Sequence, residues 1–390
     1  MAIIFIPGIK GTELVDTYPL DHPPRWPGPD AAPGDMIESP RDFALIDGRY
    51  DHDGHWLQPG RVARRFCGPM IDALRTRCAP EPVHAFGYDW RKPLEVSASR
   101  LVQFVDDVCA RERALGRKPA LKFVAHSMGG LLLRSALPLR NRRDPFADVA
   151  RVVFIAPPFR GAIGTLFALV AGETDVWFGT EPAYRKITRG FPSVYQMTPS
   201  WPGAAVDEQG RSLDLFDAGN WQANVAKSDS FRADFLRDAE AFVRVRKARR
   251  GGGSNAPMLS DAGLAKAAGK LLVIAGSGQP TACALPVLTR NKPNPNWFDF
   301  AHADIDTLGD GRVWLPSAAI KGVPLVGIDG SGEHALLCRD DRIIGLTAQW
   351  LSGQRATMPT WRTPDDAVAR RKRYVKPWDG RRDSIARHIA

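Results

Sequence analysis

Cysteine is scarce in this chain, and long apolar runs are missing. Five cysteines are spread over 390 residues, at Cys67, Cys78, Cys109, Cys283 and Cys338, and no two form a CxxC pair. That spacing argues against a metal site built on thiolates. Cys67 and Cys78 stand far enough apart to close a small loop in an oxidising compartment, but no export signal is visible and free thiols are expected. No stretch approaches the ~20 apolar residues that a membrane-spanning helix needs. The first apolar strand starts at residue 2 without a basic n-region, so a cytoplasmic location, or a chain already trimmed, is expected. Zinc-finger spacings and RNA-binding aromatic signatures are absent too, which speaks against nucleic acid as a partner. With only eight histidines, few residues can serve as a general base near neutral pH.

What is present is an ordinary globular composition, 44% hydrophobic, with 53 Lys and Arg against 43 Asp and Glu and a net charge of +10. Much of the excess lies between Gly353 and Ala390, where ten Lys or Arg face four Asp. The plain reading is a solvated extension; peripheral attraction to an anionic membrane surface is the next one.

Apolar runs alternate with helical patterns, which predicts an α/β fold with a mostly parallel sheet. Strands are expected at Ile3 to Ile6, Val83 to Gly87, Leu121 to Ala125, Val152 to Ile155, Leu271 to Ala275 and Leu325 to Ile328. Helices are expected at Ser99 to Leu115, at Met128 to Leu139 and over residues 340–351. Residues 16–60, rich in Pro, Asp, Gly and His, read as a long ordered loop near the mouth of a site. Residues 162–260 are far longer than a simple crossover. Their apolar and aromatic residues (Phe167, Leu169, Val170, Trp177, Phe178, Tyr184, Phe191, Tyr195, Trp201) suit either a cap core or an acyl-chain groove. Within them, the run from Arg246, RKARRGGGSNAP, reads as a mobile surface segment. The resulting division is a core of residues 1–161 and 261–352, an inserted cap or lid over 162–260, and a basic C-terminal extension over 353–390.

The run LKFVAHSMGG, residues 121–130, reads as strand, tight turn and helix with Ser127 at the corner. This is the pattern of a nucleophile elbow, which lifts a serine hydroxyl above the sheet of an α/β-hydrolase. Gly129 and Gly130 leave room for close backbones, and Ala125 stands where the first glycine of the motif is usual. A serine hydroxyl needs a neutral imidazole to take its proton, and the imidazole needs a carboxylate to fix its tautomer. In this fold the chain order is Ser, acid, His. His334, on the polar turn GSGEHALL, fits the base; His302 precedes the best acid candidate and reads as structural. Asp304, Asp306 and Asp310 all follow the strand KLLVIAGSG. Asp310 is preferred because flanking glycines let its backbone turn sharply, with Asp304 the next candidate. The oxyanion hole calls for two fixed N–H donors. They are expected at Met128, just after the nucleophile, and at Ile9 in the glycine-rich turn IPGIKGTEL. In FGYDWRKP, Asp89 and Arg91 read as an internal ion pair or backbone anchor.

Taken together, PGIKGTEL, YDWRKP, AHSMGG, APPFRGA, GDGRVWLPSA and the late His334 resemble the lecithin:cholesterol acyltransferase family, which includes lysosomal phospholipase A2-like enzymes and bacterial relatives. The resemblance implies an α/β-hydrolase with a large inserted cap. It implies Ser127 as nucleophile, Asp310 as acid, His334 as base, and the Ile9 and Met128 N–H groups as oxyanion donors. Two departures stand out: the family's GDGTV is GDGRV here, with Arg312 beside the acid, and the lid is the least recognisable part. The expected function is a serine hydrolase acting on carboxylic esters of lipid-like substrates through an acyl-enzyme, with no cofactor and no metal. Passing the acyl group to an alcohol is the alternative. A non-catalytic lipid-surface binding protein is a further alternative that the complete Ser, Asp and His set disfavours.

Overall fold

A computed structural model gives the fold and describes residues 1–22, 24–26, 40–141, 143–172, 182–244, 258–289, 296–354 and 373–374. Trp177, Phe178, the run from Arg246 to residue 257, and nearly all of the extension over 353–390 lie outside the described residues.

All six apolar runs expected as strands join one parallel sheet. They are β1 (Ala2–Ile6), β2 (Val83–Ala85), β3 (Leu121–His126), β4 (Val149–Ile155), β5 (Leu271–Ser277) and β6 (Leu325–Asp329). Their spatial order is β6-β5-β4-β3-β1-β2. Alternate residues of each strand serve different cores. Ile3, Phe5, Val124 and Val153 pack with Met70, Leu74, Ile343 and Leu346 on one face. Ile4, Ile6, Phe123 and Phe154 pack with Leu101, Val105, Leu131 and Leu132 on the other. Burial on both faces is why these strands read as continuous apolar runs rather than alternating ones. One face is covered by α1 (Arg64–Arg77) and α4 (Asp341–Leu351), the other by α2 (Leu94–Ala114) and α3 (Met128–Arg140). The chain has the α/β-hydrolase arrangement.

Helices α1 and α3 hold prolines in their interiors, and the lost hydrogen bonds are replaced from outside. Pro69 in α1 has no N–H for the Arg65 carbonyl, which accepts instead from Arg339 Nη1 at 3.3 Å. Pro138 in α3 frees the Arg134 carbonyl, which accepts from the Leu259 N–H at 3.0 Å. Helix α4 starts on an Asp340 cap whose carboxylate accepts from the N–H groups of Arg342 and Ile343.

Residues 16–60, expected as a loop, hold short strands. Pro24–Trp26 and Leu57–Val62 flank Thr12–Asp16 in an antiparallel sheet, and Leu45–Ile46 pairs with Tyr50–Asp51. Arg91 anchors this region from inside. Fully buried, it donates to both oxygens of Asp89 (2.9 and 2.7 Å), to Asp51 Oδ1 (2.6 Å) and to the Phe43 carbonyl (2.9 Å). The Asp89 carboxyl resists burial, which pushes its pKa up, but the Arg91 and Lys92 charges and the Arg91 hydrogen bonds hold it below the usual range.

Between β4 and β5 the chain forms the helices Ile163–Ala171, Pro182–Thr188, Pro192–Tyr195, Ala223–Ala226 and Ala233–Val243. Leu169, Phe191 and Tyr195 are buried there, and Phe167 meets Phe300 edge-on. The strand Ala205–Asp207 pairs parallel with Thr281–Thr289, which also pairs antiparallel with Asn296–Phe298 and Asp304–Asp306. All five cysteines are buried free thiols, so Cys67 and Cys78 are not bonded. Among the described residues, no helix is long and apolar enough to cross a membrane.

Candidate active site

The strand order decides where a site can form. Strand β1 lies between β3 and β2, so the chain order reverses at the β1/β3 pair, the point where open α/β sheets leave a crevice beyond their carboxyl ends. The loop after β1 and the turn after β3 meet there.

Ser127 occupies that turn with φ 53° and ψ −130°, a conformation a non-glycine residue rarely adopts. The turn is tied down by Ser127 N–H to the Ile155 carbonyl and Gly130 N–H to the Ser127 carbonyl, both at 2.8 Å. Close approach is possible only because two neighbours lack side chains. A Cβ on Gly8 would lie 2.7 Å from Ser127 Cβ, and one on Gly129 would lie 2.5 Å from the Pro7 carbonyl oxygen. Ala125, fully buried in β3, accommodates its methyl group within the core.

His334 opens the short 3-10 turn His334–Arg339 after β6, and its Nε2 lies 2.8 Å from Ser127 Oγ. Its Nδ1 lies 2.7 Å from Asp310 Oδ2. A carboxylate can only accept, so Nδ1 carries the hydrogen and Nε2 is left as the acceptor for the serine hydroxyl. Asp310 Oδ1 accepts from the N–H groups of Val313 (2.8 Å) and Arg312 (3.1 Å). Burial alone pushes the Asp310 carboxyl up. The charge and hydrogen bond of His334, with the two backbone donors, bring it below the usual carboxylate range. Arg312, the departure from GDGTV, therefore contributes through its backbone N–H, which any residue but proline supplies there.

The loop after β1 is pinned by groups distant in sequence. The Gly11 N–H donates to the Gly8 carbonyl at 3.1 Å across a turn with Lys10 at φ 60°. Tyr88 Oη donates to the Pro7 carbonyl, Trp90 Nε1 to the Thr12 carbonyl and Trp26 Nε1 to the Lys10 carbonyl, each at 3.1 Å. Thus the YDW part of YDWRKP anchors the loop that carries Ile9. Neither the Ile9 nor the Met128 N–H takes part in the turn and loop hydrogen bonds of the described residues.

The other candidates lie elsewhere. His302 Nδ1 meets Asp299 Oδ2 at 2.8 Å on the surface. Asp306 is buried and accepts from Leu308 N–H and Trp314 Nε1. Asp304 lines a separate cavity. Among the described residues no group of three or more His, Cys, Asp and Glu is placed to hold a metal ion.

One residue at the site escaped the sequence reading. His126, directly before Ser127, is buried with its ring 5.0 Å from that of His334, and its Nε2 lies 3.2 Å from the His334 carbonyl. Nε2 must therefore carry the hydrogen. Burial first, and the neighbouring His334 second, lower its pKa to about 3, so the ring stays neutral. A histidine closing a strand whose preceding residues from Phe123 to Ala125 are apolar was the available signal.

Residues 75–229, which include the elbow, match the family model for lecithin:cholesterol acyltransferase. The chain is similar to that family. A phospholipase A(1) of Arabidopsis thaliana, LCAT3, is 24% identical over 308 residues, covering 68% of this chain and 65% of that protein. An uncharacterized protein of Saccharomyces cerevisiae is 26% identical over 144 residues, 36% of this chain and 20% of that protein. The matches thus span about a fifth and just under two thirds of those relatives' lengths. A chain of the crystal structure of the Tle4–Tli4 complex superposes with a TM-score of 0.53 at 14% identity, covering 90% of this chain and 97% of that one, a likeness of fold. The similarity associates the chain with hydrolases and acyltransferases of lipid esters.

Proposed function

We propose that this chain is a serine hydrolase that cleaves carboxylic ester bonds of lipid-like substrates through an acyl-enzyme. The observation that supports it best is the unbroken hydrogen-bond line from Asp310 through His334 to Ser127. On this reading His334 Nε2 takes the hydroxyl proton as Ser127 Oγ attacks the ester carbonyl. Asp310 keeps the ring in the receptive tautomer and stabilises the imidazolium that forms. The Ile9 and Met128 N–H groups receive the oxyanion; fixed donors of this kind stabilise charge that exists only in the transition state. His334 then gives its proton to the departing alcohol, leaving Ser127 acylated. In the second half water loses a proton to His334 and attacks the acyl carbon; the bond to Ser127 Oγ then breaks, His334 returns the proton to that oxygen, and the acid leaves.

Transfer to an alcohol in place of water uses the same acyl-enzyme, and the match to the acyltransferase family model favours keeping it as a second reading. A fluorophosphonate probe tests the shared core. Labelling is expected at Ser127, with both labelling and p-nitrophenyl ester turnover lost in Ser127→Ala. Turnover retained in that variant refutes the assignment. Analysis of products from phospholipid vesicles with and without added alcohol then separates hydrolysis from transfer.

A further inference from the structure

Asp304 sits six residues before Asp310, yet it has no part in the hydrogen-bond line of the triad. It faces a cavity of about 440 Å³, within the ~300–1,000 Å³ typical of small-molecule sites. The walls come from residues 201–203 and 206–207, residues 283–286 of the strand Thr281–Thr289, and Trp314. Trp201 and Trp314 meet there with ring centroids 5.5 Å apart and planes tilted by 46°. Both indole N–H groups are already engaged: Trp201 Nε1 donates to the Cys283 carbonyl and Trp314 Nε1 to Asp306 Oδ2, each at 3.0 Å. The pair therefore offers a ligand aromatic carbon and no hydrogen-bond donor.

Two carboxylates border this aromatic wall, and they differ. Asp207 is already neutralised: Arg211 Nε donates to its Oδ2 at 2.7 Å, and the N–H groups of Gln209 and Arg211 donate to its Oδ1. Asp304 is half-buried and makes no ion pair or side-chain hydrogen bond among the described residues. No Lys, Arg or His is among the residues that line the cavity. An acyl chain would leave the Asp304 charge partly desolvated and unmatched, and an anion would be repelled by it. A hydrated ammonium with three N–H groups would find one acceptor carboxylate and no others offered by the indoles. A methylated ammonium suits all of these features, because its charge is spread over carbon and needs π surface and a nearby anion rather than hydrogen bonds.

We propose that the cavity between Trp201, Trp314 and Asp304 binds a quaternary ammonium group. The cation lies against the two indoles and its charge is balanced by Asp304. The group can arrive as the headgroup of a choline phospholipid, in which case the site would select among substrates of the proposed hydrolase and rests on that reading, or as a free choline-like cation.

Isothermal titration calorimetry of the full chain with tetramethylammonium and with choline tests this, at an ionic strength held constant with sodium chloride. Saturable one-to-one binding is expected, weakened about 5- to 10-fold in Asp304→Asn, abolished in Trp201→Leu and retained in Asp304→Glu. The absence of saturable binding to the wild-type chain, or equal affinity in Asp304→Asn, overturns the proposal. Should Asp304→Asn fail to fold, the wild-type titration and Trp201→Leu decide. Turnover of dihexanoyl phosphatidylcholine relative to dihexanoyl phosphatidylglycerol identifies the source. A ratio that falls in Asp304→Asn assigns the site to the headgroup, while weakened choline binding at an unchanged ratio assigns it to the free cation. Fluorophosphonate labelling of Ser127 reports separately, so a chain that labels but binds neither cation loses this inference and keeps the hydrolase reading.

Discussion

His126 should make the folded chain sensitive to mild acid, and removing its imidazole should relieve that sensitivity. In the folded protein its pKa falls from 6.5 to about 3, because burial opposes the charged ring and His334 stands 5.0 Å away. In the unfolded chain it titrates near 6.5. Between those values the unfolded state binds a proton that the folded state refuses, so stability falls as the pH drops below 6.5 and the loss is complete near pH 3. Over that whole interval the loss is on the order of 5 kcal/mol, at ~1.4 kcal/mol per pKa unit. Between pH 7 and pH 5 the unfolded histidine goes from mostly neutral to almost wholly charged, which costs about 2 kcal/mol. Gln is the informative replacement: its amide N–H can still donate to the His334 carbonyl, but it does not titrate. Urea unfolding of wild type and His126→Gln at pH 7 and pH 5 isolates the contribution, since every other titrating group is common to both chains. The wild type should lose about 2 kcal/mol more than the variant. If the two lose the same amount, His126 is not held neutral by burial and the reasoning fails.

Asp310→Asn should lower kcat by about 10⁴-fold with little change in KM, because an amide cannot hold His334 with Nε2 free to accept; steady-state ester kinetics check this, and a loss below ten-fold contradicts it. Gly129→Ala should destabilise the chain by roughly 1–3 kcal/mol and slow fluorophosphonate labelling, since its Cβ would lie 2.5 Å from the Pro7 carbonyl and push the β1 loop away. Unchanged melting and labelling would show that the elbow tolerates a methyl group there. Arg91→Met should cost about 3–5 kcal/mol, because Asp51 loses its buried cation and Asp89 keeps only Lys92 Nζ at 3.5 Å. Thermal or urea unfolding reads it, and a loss below about 1 kcal/mol would place the carboxylates in contact with water.

Much of the frame could be read along the chain because its signals are local. The six strands of the main sheet are short apolar runs, and a strand covered on both faces has no choice but to be one. Helix α1 was hidden: Gly68 and Pro69 interrupt it, and only Arg339, some 270 residues away, supplies the donor that Pro69 lacks. The short strands of residues 40–62 were hidden for a similar reason. Their polar sequence says loop, and it is the guanidinium of Arg91 that fastens Asp51 and the Phe43 carbonyl beside Asp89. Helix α2 begins at Leu94 rather than Ser99, because Pro93 already fits a helix start.

The reactive types, their order along the chain and the glycines at the elbow belong to the sequence, since a tight turn and a small residue are local requirements. Which acid meets which base belongs to the tertiary structure. Asp304 and Asp310 lie six residues apart in similar surroundings of sequence. Yet the sheet sends one against His334 and the other into an aromatic cavity. Ser127 and His334 are separated by 207 positions. No local preference spans that distance. Only the packing of β3 and β6 into one parallel sheet, with helices on both faces, brings their ends to the same edge.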